Sequence, residues 1–133
     1  MEFRNSQPIY LQIAEYVCEK ILLNEWRPDD RVPSLRDLAV QLEVNPNTIS
    51  RTYDFLQSKE IIVTERGVGQ FVGPKAIRNS LAYMKQEFTD KSLPHLFRRL
   101  VLLEMELNEL NPYFEKYLKK NFPSLTITKN GNQ

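Results

Sequence analysis

Asn47 and Arg51 stand one helical turn apart, just after Asn45-Pro46, with Ser50 beside the row they form. Side chains of this kind recognise flat, polar partners. An Asn amide pairs two-pronged with adenine and an Arg guanidinium with guanine, and both reach base edges from near a helix N-terminus. Arg36 follows directly on an expected helical start at Leu35. Unsatisfied backbone amides there attract phosphate, and the guanidinium adds its charge to the same place. Arg66 lies beside Gly67 and Gly69, in a tip whose missing side chains let it approach a nucleic-acid backbone and enter a minor groove. Catalysis is disfavoured, because one His, one Cys and four Gly leave few of the usual parts. Glu and Asp pairs are numerous, but none sits in an acid–base setting, and no nucleophile–base pair can be assembled.

These residues need elements to hold them. The chain has 133 residues, 41% hydrophobic and 26% charged, with a net charge of +1. That suits one domain or two small ones, and not a disordered chain. A break is expected at Gly73-Pro74-Lys75, dividing residues 1–75 from 76–133. In the front part Pro8 suits a first helical position after Ser6 or Gln7, and Ile9, Ile13, Val17 and Ile21 then recur at helical spacing until about Glu25 to Arg27. Ser34 with Asp37 resembles a capping box that opens a short helix facing inward through Leu35, Leu38, Ala39 and Leu42. Asn45 caps a third helix with Pro46 in its first turn, running to about Lys59 on an inner face of Ile49, Tyr53 and Leu56. Asn47, Arg51, Asp54 and Ser58 are thereby turned outward. The Glu43-Val44 link is short, so the second and third helices cross steeply, with small Ala39 where they touch. Ile61–Thr64 and Gln70–Val72 are β-prone around the turn Glu65–Gly69. Helix, helix, turn, helix, hairpin is the order of a winged helix-turn-helix, so the expected class is mainly α (α+β).

A solvated helix face also carries Asn, Arg, Asp and Ser. Residues 1–75 hold nine Lys and Arg against eleven Asp and Glu, net −2, whereas a basic patch is the usual footprint of a DNA binder. Nucleic-acid binding therefore depends on arrangement, with Arg36, Arg51 and Arg66 expected to converge on one side. A winged-helix module that docks on another protein, without specific DNA binding, stays open on this ground.

Val32-Pro-Ser-Leu-Arg-Asp-Leu-Ala39, Val44-Asn-Pro-Asn-Thr-Ile-Ser-Arg-Thr-Tyr53 and Thr64-Glu-Arg-Gly-Val-Gly-Gln-Phe-Val72 follow one another in order. Together they resemble the N-terminal domain of GntR-type bacterial transcription regulators, from about Pro8 to Val72. The Asn-Pro-Asn-Thr start and the short stretch after residue 75 are similar to the YtrA-type subfamily. The resemblance implies a dimeric regulator, more often a repressor, on an inverted-repeat operator in double-stranded DNA. Contacts are implied for Arg36, Asn45, Asn47, Thr48, Ser50, Arg51, Gly67 and Gly69. Four positions depart from the family pattern. Pro46 and Ser50 stand where many relatives have Arg, Glu60 replaces a frequent Gly after the third helix, and Val68 replaces a common basic wing residue.

Residues 76–133 carry nine basic against six acidic residues, net +3. Ile77, Leu81, Met84 and Phe88 mark an amphipathic helix ending before Asp90-Lys91-Ser92, and Ser92 is expected to cap the next. Leu93, Leu96, Leu100, Leu103, Leu107, Leu110, Phe114 and Tyr117 alternate steps of three and four, a heptad seam that Pro112 kinks or interrupts near Leu110. Phe97, Val101, Leu102 and Met105 widen the apolar face. Two antiparallel helices cannot bury so much, and an isologous homodimer through Leu81, Met84, Phe88, Leu96, Leu100, Leu103, Leu107 and Leu110 is expected. A monomer folded back on its first helix is the alternative. The polar tail from Thr126 is expected to fray.

Other signals are weak. Gly67-Val68-Gly69 lacks the Lys-Ser/Thr of a nucleotide loop, His95 has no second metal ligand, Cys18 suits a packed thiol, and Trp26 suits a plug behind the first helix. No cofactor is expected, and a stretch of 58 residues is small for an enclosed effector pocket. One cysteine, no apolar run near the ~20 residues of a membrane span and no secretory signal at the start point to the cytoplasm.

Overall fold

Pro8 sets the entry of helix α1 (Ile9–Leu22), one residue earlier than its expected place: it is the N-cap, and its carbonyl accepts from Leu11 and Gln12. The computed structural model describes residues 1–3 and 7–125. Ser6 and the polar tail from Thr126 lie outside the described residues. Helix α1 buries Gln12, Ile13, Ala14, Val17, Cys18 and Ile21, while Ile9 is exposed. Helices α2 (Leu35–Leu42) and α3 (Pro46–Ser58) follow, each opened by the expected residue. Ser34 Oγ accepts from the Asp37 amide at 3.1 Å and Asn45 Oδ1 from the Asn47 amide at 2.8 Å. Such side-chain caps satisfy amides that the helix itself cannot.

Strands β1 (Ile62–Glu65) and β2 (Gly69–Val72) form the antiparallel hairpin, pairing Ile62 with Val72 and Glu65 with Gly69. A third segment, absent from the expectation, lies along the other edge of β2. Asp29 N donates to Val72 O, Val72 N to Asp30 O and Val32 N to Gln70 O, with Arg31 bridged to Phe71. The segment behind α1 is therefore part of the wing's base.

Helix α4 (Ala76–Glu87) buries Ala76 and Ser80, and Tyr83 and Met84 pack against the core of α1 to α3 and the hairpin. The chain divides into two compact units, Met1–Phe88 and Thr89–Gln133, so the division falls after α4 rather than near residue 75. Buried among these helices, the Cys18 thiol is pushed up to about 11 by desolvation. It stays protonated at neutral pH and unreactive.

Helix α4 ends at Glu87, before Asp90 as expected, but the backbone stays helical beyond it. A π-helical turn, Phe88–Ser92, leads on to α5 (Leu93–Leu102), and Ser92 has helical dihedrals and makes no side-chain cap. The heptad seam does not lie on one helix either. Helix α5 stops at Leu102, a 3-10 turn spans Leu107–Leu110, and α6 (Asn111–Asn121) begins with Pro112 in its first turn. The cause is local. Glu104 takes a left-handed conformation, and Glu106 and Glu109 form a reciprocal capping box that starts the chain again. In this second unit only Leu100 of the described residues is buried, and Val101, Leu102, Leu103, Leu107, Tyr113, Phe114 and Tyr117 are exposed.

Helix ends share one device. Asn24, Glu43, Glu60 and Glu104 all have φ between +54° and +64°. After α3, Ile61 N reaches back to Leu56 O at 2.9 Å and Glu60 N to Gln57 O at 3.0 Å, the paired bonds of a Schellman closure. Val44 to Ala39, Met105 to Leu100 and Glu25 to Lys20 repeat the longer bond after α2, α5 and α1. A residue with a Cβ pays roughly 1–2 kcal/mol for that conformation, and glycine offsets the relief with about 0.5–1 kcal/mol of extra chain entropy. Glu60→Gly is thus expected to stabilise the fold by roughly 0.5–1 kcal/mol, read as a raised midpoint in urea with an unchanged slope. No gain would mean that the Glu60 side chain offsets the strain.

Candidate nucleic-acid interface

Two hydroxyls fasten α3 into the first unit. Thr52, fully buried, places Oγ1 2.8 Å from the Tyr10 carbonyl of α1 and 3.0 Å from the Thr48 carbonyl one turn back. Tyr53 donates its phenol to the Pro33 carbonyl at 2.7 Å, just ahead of α2. Burial drives the Tyr53 pKa far above the ordinary phenol value, so the phenol stays protonated, and a donor, at neutral pH. With Ile49, Tyr53 and Leu56 inward, Asn47, Arg51, Asp54 and Ser58 are exposed, as their spacing predicts. A side chain on a helix held this way is aimed more precisely than one on a loop.

The individual side chains differ in what they offer. Asn45 is exposed, but its Oδ1 is engaged as the cap, leaving its amide NH₂ as the outward donor. Thr48 and Ser50 are half-buried. Asn47, Thr48 and Arg51 line a shallow cleft of about 350 Å³ with Pro8, Ile9 and Tyr10. Arg51 turns back over this cleft, its guanidinium carbon 4.0 Å from the centre of the Tyr10 ring. Arg36 is exposed in the first turn of α2, beside amides that no earlier carbonyl of the helix can reach.

The hairpin is tied to α3 through Thr64, whose hydroxyl donates to Gln57 Oε1 at 2.9 Å while Gln70 Nε2 approaches the same hydroxyl at 3.4 Å. Arg66 and Gly67 are exposed at its tip. Gly67 has φ +78° with open space where a Cβ would stand. Gly69 is different. Its φ is +150°, and a Cβ there would come within 2.8 Å of Arg31 Nη2. Arg31 lies along the hairpin and donates to the Val68 carbonyl at 2.6 Å. Sequence reasoning missed Arg31, since its place depends on the long-range pairing of residues 29–32 with β2. A basic residue shortly before the Val-Pro-Ser run, in a wing lacking its own cation at Val68, is the signal that could have found it. Asp54 and Glu65 remain exposed on the same elements.

Among the described residues no group of three or more His, Cys, Asp or Glu is placed to hold a metal, and His95 is exposed. No helix of the described residues is long and apolar enough to cross a membrane.

Comparison with known proteins adds independent findings. Residues 9–72 match the family model described as bacterial regulatory proteins, gntR family. The chain is 45% identical over 75 residues to the uncharacterized HTH-type transcriptional regulator YhcF of Bacillus subtilis, covering 56% of this chain and 62% of that protein. It is 33% identical over 113 residues to the HTH-type transcriptional repressor YtrA of Bacillus subtilis, covering 85% of this chain and 86% of the repressor. Among solved structures, a GntR family transcriptional regulator from Listeria monocytogenes aligns with a TM-score of 0.69 at 30% identity, over 86% of this chain and 98% of the other.

Proposed function

Because this chain belongs to the GntR family of bacterial regulatory proteins, we propose that it is a homodimeric transcriptional repressor that binds an inverted repeat in double-stranded DNA. The observation that carries the reading is α3 itself, fastened at Thr52 and Tyr53 with Asn47 and Arg51 exposed on its first turns. In this role α3 enters the major groove. Asn47 and Arg51 read base edges, with Asn45, Thr48 and Ser50 beside them. Arg36 and the starts of α2 and α3 hold phosphates, and Arg66, Gly67 and Gly69 meet the neighbouring minor groove. Arg31 supplies the wing with the cation that Val68 does not.

The exposed apolar residues of the second unit support the dimer. Leu103 and Leu107 are each 61% exposed and Val101 74%, and apolar groups in such number are ordinarily covered by a partner. Leu81 and Phe88 are exposed too, while Leu96 and Leu110 are half-covered. Met84 and Leu100 contribute less, since Met84 packs on its own core and Leu100 is buried within the subunit. Two reading helices at fixed spacing select half-sites roughly one DNA turn apart. Repression is supported by the YtrA relative, a transcriptional repressor that the chain matches over most of both lengths.

Selection of duplexes from a random pool tests the proposal. One enriched inverted repeat, bound by a dimer in a salt-sensitive manner, is the expected result. Indifference to DNA would favour the protein-docking reading that the net −2 of residues 1–75 suggests. Arg31→Ala and Arg36→Ala are each expected to weaken all duplexes alike, and to flatten the slope of log K against log salt by about 0.9 for each phosphate no longer neutralised. An unchanged slope in a salt titration would remove that residue from the phosphate-binding set.

A further inference from the structure

The side chain of Arg51 has a seat. Its guanidinium lies 4.0 Å over the Tyr10 ring, and that ring is held from several directions. The Tyr10 carbonyl accepts from buried Thr52 on α3 at 2.8 Å. The ring meets Phe55 edge-on at 6.3 Å and 78°, and Phe55 meets Tyr83 of α4 in the same manner at 5.3 Å and 66°. Phe55 and Tyr83 both pack against the core. The surface beneath Arg51 is thus built from three helices of one unit and cannot follow a swinging side chain.

Stacking occupies the face of a guanidinium, whereas its five N–H donors lie in the plane. An Arg resting on an aromatic ring therefore keeps the fork that pairs with guanine. We propose that Tyr10 is a positioning residue for sequence recognition: it holds the Arg51 fork in a preset orientation before DNA arrives, so that specific binding does not have to order that side chain. The inference rests on the reading of α3 as the DNA-reading helix. It adds a residue of α1 that touches no base as a determinant of specificity. Ordering one long side chain at an interface ordinarily lowers affinity by roughly two- to ten-fold, and that is the size of effect expected.

A double-mutant cycle on the full chain tests it, using as probes the duplex enriched from a random pool and a shuffled duplex of equal composition. The preference of the protein for the first over the second is the readout. Tyr10→Leu is expected to reduce that preference about two- to ten-fold in the wild-type background and to leave it unchanged in the Arg51→Ala background. Tyr10→Phe, which keeps the ring, is expected to retain it. The upfield ring-current shift of the Arg51 side-chain protons, measured by NMR without DNA, should vanish in Tyr10→Leu and persist in Tyr10→Phe. That second reading confirms the seat in folded protein even where the Tyr10→Leu variant melts lower. If Arg51→Ala lowers the preference but Tyr10→Leu lowers it equally in both backgrounds, the inference fails alone. Tyr10→Phe as damaging as Tyr10→Leu overturns it too, since the phenol would then be the contact. An Arg51→Ala variant with undiminished preference removes Arg51 from base reading and this inference with it, whereas a chain indifferent to DNA removes the α3 reading as well.

Discussion

Arg51→Ala is expected to lower affinity for the selected duplex by about 1–3 kcal/mol, roughly 5- to 150-fold, while binding to shuffled DNA barely changes. The effect is specific because Arg51 is exposed on α3 and contributes nothing to the buried face of Ile49, Thr52, Tyr53 and Leu56. Losing the stack on Tyr10 costs about 0.5–1 kcal/mol of fold stability at such an exposed site, too little to unfold the domain. The guanidinium's share of non-specific attraction is one charge among several. A bidentate contact to guanine is what a truncated side chain removes altogether. Fluorescence anisotropy with the two duplexes measures both quantities in one titration. If the two affinities fell in parallel, Arg51 would be a phosphate contact, and base reading would pass to Asn47.

A larger loss is expected from Leu103→Glu combined with Leu107→Glu. Both side chains are 61% exposed in the single chain, so neither substitution opens a cavity within the subunit. In a homodimer the same positions would bury two carboxylates per subunit among apolar groups, which association cannot sustain. The expected outcome is a monomer by sedimentation at micromolar concentration, with the first unit still folded by near-ultraviolet circular dichroism. Affinity for the inverted repeat should then drop by about 10²–10⁴-fold, the advantage of linking two modules at fixed spacing. A single half-site should be bound as weakly by the variant as by the parent. A variant that remained dimeric would place the interface elsewhere on the chain, and one that became monomeric without losing affinity would show that each subunit binds alone.

Features encoded by neighbours in the chain were legible in it. Ser34 and Asn45-Pro46 mark the starts of α2 and α3 because caps act within one turn. The inner face of α3 follows from spacing alone. Where distant residues decide, the sequence is silent. Asp29-Asp30-Arg31 has little β-propensity, and it joins β2 only through pairing with Gln70 to Val72, so neither propensity nor periodicity there marks Arg31 as a wing residue. The seam from Leu93 to Tyr117 keeps its period through a chain that is not one helix, since nothing in the leucine spacing registers the left-handed turn at Glu104. Asp90-Lys91-Ser92 looks like a stop, yet the backbone passes it as a π turn. Of the candidate interface, the identity of the outward side chains on α3 was readable, whereas the Tyr10 seat under Arg51 needed two helices brought together.

The left-handed residues that close α2, α3 and α5 are glutamates. Glutamate ordinarily prolongs a helix, so these segments carry no punctuation of their own. What halts α3 is the burial of Ile61, fully enclosed and bonded back to Leu56. An excised peptide spanning α3 would overrun its native boundary, and the correct rod length emerges only when the interior assembles. Truncating Ile61 would accordingly do more than loosen packing: it would blur where α3 ends and shift the strand that begins at Ile62.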